Sequence, residues 1–330
     1  TGGWYDAGDH GKYVVNAGVS LWTLMTYYER VAGAPARAAA FADGALNTPE
    51  RANGVSDLLD EIRWELEFVL AMQAPDGTRL RLPLGDQSGR THRLVFTEVD
   101  ASGMAHHKLH DEVWTTLPTP PHLDRQPRLL SYPSTAATLN LAAVAAQCAR
   151  IWRGVDADFS ARCLSAARRA YAAPRGVPDA FAYDLSDGSG AYGDRRVSDE
   201  FYWAAAELYL TTGEQPYAQD MRASPHWLAV NDFSWAQTDT LATISLALAG
   251  AGAAGAAARA RGAARADALR GESADQGYLI PFAPSYVWGS NSDFANRGIL
   301  LALAYDFTRD ARYRDEVVNV MDYLLGRNPL

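Results

Sequence analysis

Cysteine is scarce: Cys148 and Cys163 are the whole complement in 330 residues. Two thiols cannot build a disulfide framework. Both fall in helical patterns and read as small buried side chains, with a single bridge between them as the alternative. Positive charge is also short, with 30 Lys and Arg against 39 Asp and Glu and a net charge of −9. That balance argues against nucleic acid as a partner, because a polyanion is held by clustered cations that displace its counterions; a neutral ligand fits better. No apolar run is strong enough to span a membrane. The uncharged stretch 241–258 has the minimum length, but it is mostly Ala, Gly, Ser and Thr and is broken by Gly250, Gly252 and Gly255. Its transfer energy falls far below that of a Leu-rich span, and it reads as a helix end, a hinge and a new helix. An initiator Met and a signal peptide are missing too: the chain opens on Thr1 and enters a motif at its second residue. It is therefore expected to be an excised fragment, in which absent targeting signals carry no information.

Sustained period-two alternation is nearly absent as well, which argues against an all-β protein. Apolar residues recur instead at helical spacing over 14–32, 56–73, 134–152, 158–173, 199–212, 216–223, 239–249, 256–270, 292–308 and 310–325. The expected fold is all-α, and the short gaps between helices favour antiparallel hairpins. No linker divides the chain, so one domain over 1–330 is expected. Residues 74–132 show no strong periodicity and hold five of the seven histidines; a loop of that length in a compact domain is usually functional or disordered. The Gly-rich, acidic stretch 184–199 is the second notable loop.

The richest segment is the first, Thr1-Gly2-Gly3-Trp4-Tyr5-Asp6-Ala7-Gly8-Asp9-His10. Glycines allow backbone conformations closed to other residues, so Asp6 and Asp9 can face one spot. Trp4 and Tyr5 add flat apolar faces with polar tips, which suit a sugar ring. The alternatives for such a DxxD turn are a calcium loop or a solvated turn.

This segment, continued by Gly11-Lys12-Tyr13-Val14-Val15, resembles the signature that opens the catalytic face of family 9 glycoside hydrolases, the inverting cellulases, and specifically their bacterial branch with an immunoglobulin-like domain ahead of the catalytic one. Further blocks are similar and follow in the family's order: Asn53-Gly54-Val55-Ser56-Asp57-Leu58-Leu59-Asp60-Glu61 with Trp64, Glu65 and Met72-Gln73, then Tyr132 to Thr138, Asp199 to Tyr209, Trp288-Gly289-Ser290-Asn291 and Asp322 to Pro329. The resemblance implies an (α/α)6 barrel of twelve helices, of which the chain supplies about ten as a partial catalytic domain. It implies hydrolysis of β-1,4-glucosidic bonds in cellulose or related β-glucans with inversion. Asp9 is then the general base and Asp6 holds the attacking water. Inversion also needs an acid roughly 6.5 to 9.5 Å away on the other side of the bond. In the family that acid is a Glu beyond the block matched by Asp322 to Pro329, so the chain alone is expected to be inactive on carboxymethylcellulose. Exo-acting hydrolysis of oligosaccharides or glucosamine units, or carbohydrate binding without catalysis, are the alternatives.

Aromatic rings that could stack on sugars are Trp4, Tyr5, Trp203, Trp235, Tyr286 and Trp288, with Ser290 and Asn291 placed to bond hydroxyls. Trp203 and Trp235 lie on or beside helix patterns, where a core role is at least as expected. His107 aligns with a substrate-contacting histidine of the family. His107 and His110 could meet on one turn around a metal, but zinc wants three or four ligands, and the cysteines that family members use are absent from 74–132. Calcium suits the residues better, since Asp199 and Glu200, next to Asp184, Asp187 and Asp194, provide the oxygen donors it prefers; simple stabilisation of a helix N-terminus is the other reading. The chemistry itself needs no cofactor. Expected partners are a β-glucan or cello-oligosaccharide, with no nucleic acid and no membrane, for a secreted monomer.

Overall fold

The computed structural model describes residues 2–90, 93–250, 252–282, 286–287 and 289–327. The chain forms two compact units, Thr1–Ser224 and Pro225–Leu330. Trp288 lies outside the described residues.

The first unit is built around one helix. Helices α1 (Val14–Val31), α2 (Pro35–Ala38), α3 (Asp57–Ala71), α4 (Thr135–Trp152), α5 (Ala157–Ala172), α6 (Ser198–Thr212) and α7 (Gln215–Ala223) follow in order. Helix α4 packs on α1, α3, α5 and α6, and nearly every side chain from Thr135 to Ala149 is buried. A helix apolar all round belongs in a core. Its many alanines let neighbours approach closely: a Cβ on Gly18 of α1 would lie 2.1 Å from Asn140 Oδ1. Ser134 starts α4 by accepting from Ala137 N at 3.1 Å, and Asp156 does the same for α5 with Phe159 N at 3.0 Å. Arg150 crosses from α4 to Glu29 of α1 (2.7 Å) and Glu207 of α6 (2.5 Å), a partly buried cation held between two carboxylates. Cys148 and Cys163 are both buried and joined, Cα to Cα 6.1 Å, so α4 and α5 are also linked covalently. The bridge, the alternative in the sequence, is what forms.

Short strands occupy the aperiodic stretch. Strand β1 (Lys12–Tyr13) precedes α1; β2 (Arg79–Pro83), β3 (Phe96–Asp100), β4 (Ala105–His106), β5 (Lys108–Asp111), β6 (Arg128–Leu130) and β7 (Pro133–Ser134) follow. All pairings are antiparallel, β2 with β3, β4 with β7, and β5 with both β1 and β6. Tyr13 faces Lys108 and Lys12 faces Leu109 across β1 and β5, which brings the long loop against the opening motif. The alternation Arg79-Leu80-Arg81-Leu82 is the only trace of this in the sequence, and it is too short to stand out.

The second unit contains α8 (Asp239–Ala249), α9 (Gly252–Ala274), α10 (Asn291–Thr308) and α11 (Ala311–Asp322), each packed on the next. Gly250 caps α8 in the left-handed region, φ 65°, so the uncharged stretch is a helix end, a hinge and a new helix as expected. No described helix is long and apolar enough to cross a membrane. On α10, buried Arg297 pairs with Asp232 and donates to Pro281 O at 2.7 Å.

Ten of the eleven described helices coincide with the expected ten, and the additional one is the single turn α2. Closing a loop of 15 residues stabilises a fold by about 3 kcal/mol. The double variant Cys148→Ala/Cys163→Ala is expected to lose that much unfolding free energy in urea; an unchanged midpoint would show that the bridge does not stabilise the fold.

Candidate active site

The opening turn is shaped by glycines that nothing else can replace. Gly3 sits at φ 90°, and a Cβ there would lie 2.6 Å from the Phe68 ring; one on Gly11 would lie 2.4 Å from Tyr13 Oη. Asp6 N donates to Gly11 O at 3.1 Å and closes the turn. Both oxygens of Asp6 are then taken by protein donors: Asn16 Nδ2 at 2.7 Å on Oδ1 and Tyr192 Oη at 2.5 Å on Oδ2. Asp9 is bonded unevenly. Its Oδ2 accepts from Tyr13 Oη at 2.5 Å and Gly11 N at 3.2 Å, while Oδ1 has only a long contact from Ala7 N at 3.4 Å. The Tyr13 and Tyr192 rings meet edge to face at 4.7 Å. Burial and then the bond to Asp9 push the Tyr13 phenol far up, and burial and Asp6 push Tyr192 up to about 12, so both remain donors at any working pH.

Flanking contacts fix the turn on the first unit. Trp4 N donates to Glu65, and Trp4 Nε1 to Glu61 Oε1 at 2.6 Å, so α3 holds this tryptophan by both ends. Tyr5 is 41% exposed, with the Lys12 ammonium 4.6 Å from its ring centre. Burial pushes Glu65 up to about 7, against the pull of Trp4 N and Lys12. His10, between the turn and the long loop, faces Asp124 at 2.9 Å and Asp111 at 3.7 Å and donates from Nε2 to Thr119 O at 3.1 Å. Among the described residues these three form the cluster close enough for a metal ion. Thr115, Gln126 N and Arg128 occupy the other carboxylate oxygens. With every ligand atom already partnered, the cluster acts as a staple between turn and loop.

His107 is buried and does not meet solvent, unlike the substrate contact expected for it. Its Nδ1 lies 2.8 Å from Ser134 Oγ and its Nε2 3.1 Å from Ala191 O, and burial lowers it to about 4, so it is neutral. Its partner His110 is likewise buried, its Nδ1 2.7 Å from Asp111 O. Trp203 is also fully buried on α6, within reach of Glu207 Oε1 (3.3 Å), which is the core role and not a stacking face. Asp199 and Glu200 are buried in the first turn of α6. Glu200 is held well above the usual carboxylate range by burial and then by Asp199 and Asp194, and neither of its oxygens meets a hydrogen-bond donor; Asp194 Oδ2 is in the same position. In the second unit Trp235 is half-buried, Tyr286 is 55% exposed with its ring 5.0 Å from Phe282, and Ser290 and Asn291 stand at the start of α10. Asn16, Tyr13, Tyr192 and Lys108 were not singled out from the sequence. Tyr192 reaches Asp6 across 186 positions, a pairing that no local pattern can reveal.

The sequence profile of glycosyl hydrolase family 9 matches residues 1–330 in full. The chain belongs to glycosyl hydrolase family 9. It is 42% identical over 364 residues to a "Cellulose 1,4-beta-cellobiosidase" of Acetivibrio thermocellus, covering all of this chain and 38% of that protein. With "Endoglucanase C" of Cellulomonas fimi the identity is 44% over 340 residues, covering all of this chain and 29% of the relative. The crystal structure of a metagenome-derived family 9 endoglucanase superposes with a TM-score of 0.83 at 32% identity, over 99% of this chain and 55% of that one. The family 9 chain thus spans between about a third and half of these relatives, and its helices are those of a partial (α/α)6 barrel fold.

Glu65 yields a pH test of how this family 9 turn is anchored. Its folded value near 7 lies above the ordinary 4.5, so the stability it contributes is present below about 4.5 and is lost as the pH rises through 7. Relative to Glu65→Gln, the wild type is expected to lose on the order of 3 kcal/mol of unfolding free energy between those limits. Parallel stability curves for the two proteins would contradict it.

Proposed function

We propose that the protein hydrolyses β-1,4-glucosidic bonds of a glucan with inversion, with Asp9 as the general base. The observation that carries this reading is the unequal bonding of the two aspartates. Asp6 spends both oxygens on Asn16 and Tyr192 and is an anchored anion suited to orient water, while Asp9 keeps Oδ1 nearly free to take a proton. A water between them would lose its proton to Asp9 as it attacks the anomeric carbon. The acid on the leaving-group side comes, by the family resemblance, from a Glu that follows the block ending at Pro329. Exposed Tyr5 offers a sugar face beside the turn, and Trp4 fixes its neighbour's backbone. By the family resemblance alone, Tyr286, Trp235, Ser290, Asn291 and Trp288 of the second unit are proposed as sugar contacts.

Removing a general base costs roughly 100- to 10,000-fold. In the longest natural form of the protein, Asp9→Asn is expected to reduce sugar release from carboxymethylcellulose by at least about 100-fold with cello-oligosaccharide binding kept. A variant as active as wild type would remove Asp9 from the mechanism. Equal inactivity of both proteins, with binding intact, would favour a carbohydrate-binding protein. The name of the Acetivibrio thermocellus relative, a cellobiosidase, favours a second reading within the same chemistry, cleavage from chain ends. Cellobiose as the first product would select it.

A structural calcium ion is proposed at Asp199 and Glu200 with Asp194 beside them; these carboxylates do not converge as closely as His10, Asp111 and Asp124 do, so the ion would draw them together. Buried carboxylate oxygens without donors are costly unless a cation or proton neutralises them, and calcium takes such oxygens. Calcium is expected to raise the melting temperature of wild type and leave Glu200→Gln unmoved; equal responses would refute the site. Secretion fits the Cys148–Cys163 bridge, since such bridges persist in oxidising compartments.

A further inference from the structure

Outside the groups assigned to proton transfer, Gly190 is held on both its backbone polar groups by buried side chains. The chain contains only two lysines, Lys12 and Lys108, and both are buried. Lys108 Nζ donates to Gly190 O at 2.7 Å, and the N–H of the same glycine donates to Tyr13 Oη at 3.1 Å. Tyr13 in turn donates to Asp9 Oδ2 at 2.5 Å. Both backbone polar groups of one residue are therefore held, one in each of two successive peptide units, and the chain of contacts ends on the carboxylate. The neighbours leave little slack: a Cβ on Gly188 would lie 2.2 Å from Asp111 O, and one on Gly193 2.6 Å from Ala182 O. His107 holds the next carbonyl, Ala191 O.

We propose that Tyr13 is a positioning residue for the hydrolytic reaction: through the Lys108–Gly190–Tyr13 chain it fixes the Asp9 carboxylate with Oδ2 occupied and Oδ1 facing the water. A hydroxyl that accepts from Gly190 N has its own proton directed away from that N–H, toward Asp9. Such a bond to an ionised acceptor is short and strong. The inference rests on the assignment of Asp9 as base and adds what holds it.

Two readouts test it. In the 330-residue chain, the Tyr13 hydroxyl proton should appear far downfield in the proton NMR spectrum. It should vanish in Tyr13→Phe, persist in Tyr192→Phe and move upfield in Asp9→Asn and in Lys108→Met. In the longest natural form, Tyr13→Phe should lower kcat on cellohexaose about tenfold and move KM by less than about threefold, because the base is released while the sugar contacts stay. An unchanged kcat, a KM rise as large as the fall in kcat, or a hydroxyl signal indifferent to Asp9→Asn overturns the proposal. Full activity of Asp9→Asn would instead overturn the base assignment and leave the hydroxyl result standing.

Discussion

Two phenol-to-carboxylate hydrogen bonds, Tyr13 to Asp9 and Tyr192 to Asp6, set the geometry on which the candidate site depends. A turn of ten residues with several glycines has little stiffness of its own, because glycine loses more backbone entropy on ordering than other residues do. Two aspartates three positions apart would also repel each other. Neutral phenols that pack on each other and donate one to each carboxylate fix both side chains. The phenols can do this because burial and the adjacent carboxylates keep them protonated.

The rest of the first unit supplies the rigidity behind those two rings. Tyr13 follows the turn directly and is paired in β1 against Lys108 of β5, so its ring is aimed by a strand and then by α1. Tyr192 sits at φ 45°, an unfavourable conformation for a bulky residue. It persists there because His107 and Lys108 hold the two preceding carbonyls and Asp6 holds the hydroxyl. Strain of this kind at a site is consistent with a function that needs the side chain in one place. His107 is thus a neutral, buried donor in the wall behind Tyr192.

The helices were legible from the sequence because their apolar spacing extends over many turns. Helix α4, expected over 134–152, spans Thr135–Trp152, and α1, expected over 14–32, spans Val14–Val31. The DxxD turn was legible because its residues are adjacent. What escaped depends on distant partners or on short elements. The strands between residues 79 and 130 have five residues or fewer, too few for a period to emerge. Trp203 and His107 carry side chains suited equally to a core and to a sugar, and only packing decides between them. The bridge between Cys148 and Cys163 required α4 and α5 to be antiparallel neighbours with those faces inward, which 15 positions of separation permit but do not dictate.

The central claim is that Asp9 activates a water which attacks the anomeric carbon directly. The anomeric form of the first product tests it. Proton NMR of cellohexaose during the first turnovers of the longest natural form should show the new reducing end appearing as the α-anomer and converting only later to β. Initial appearance of the β-anomer would mean retention through a covalent intermediate and would contradict the account.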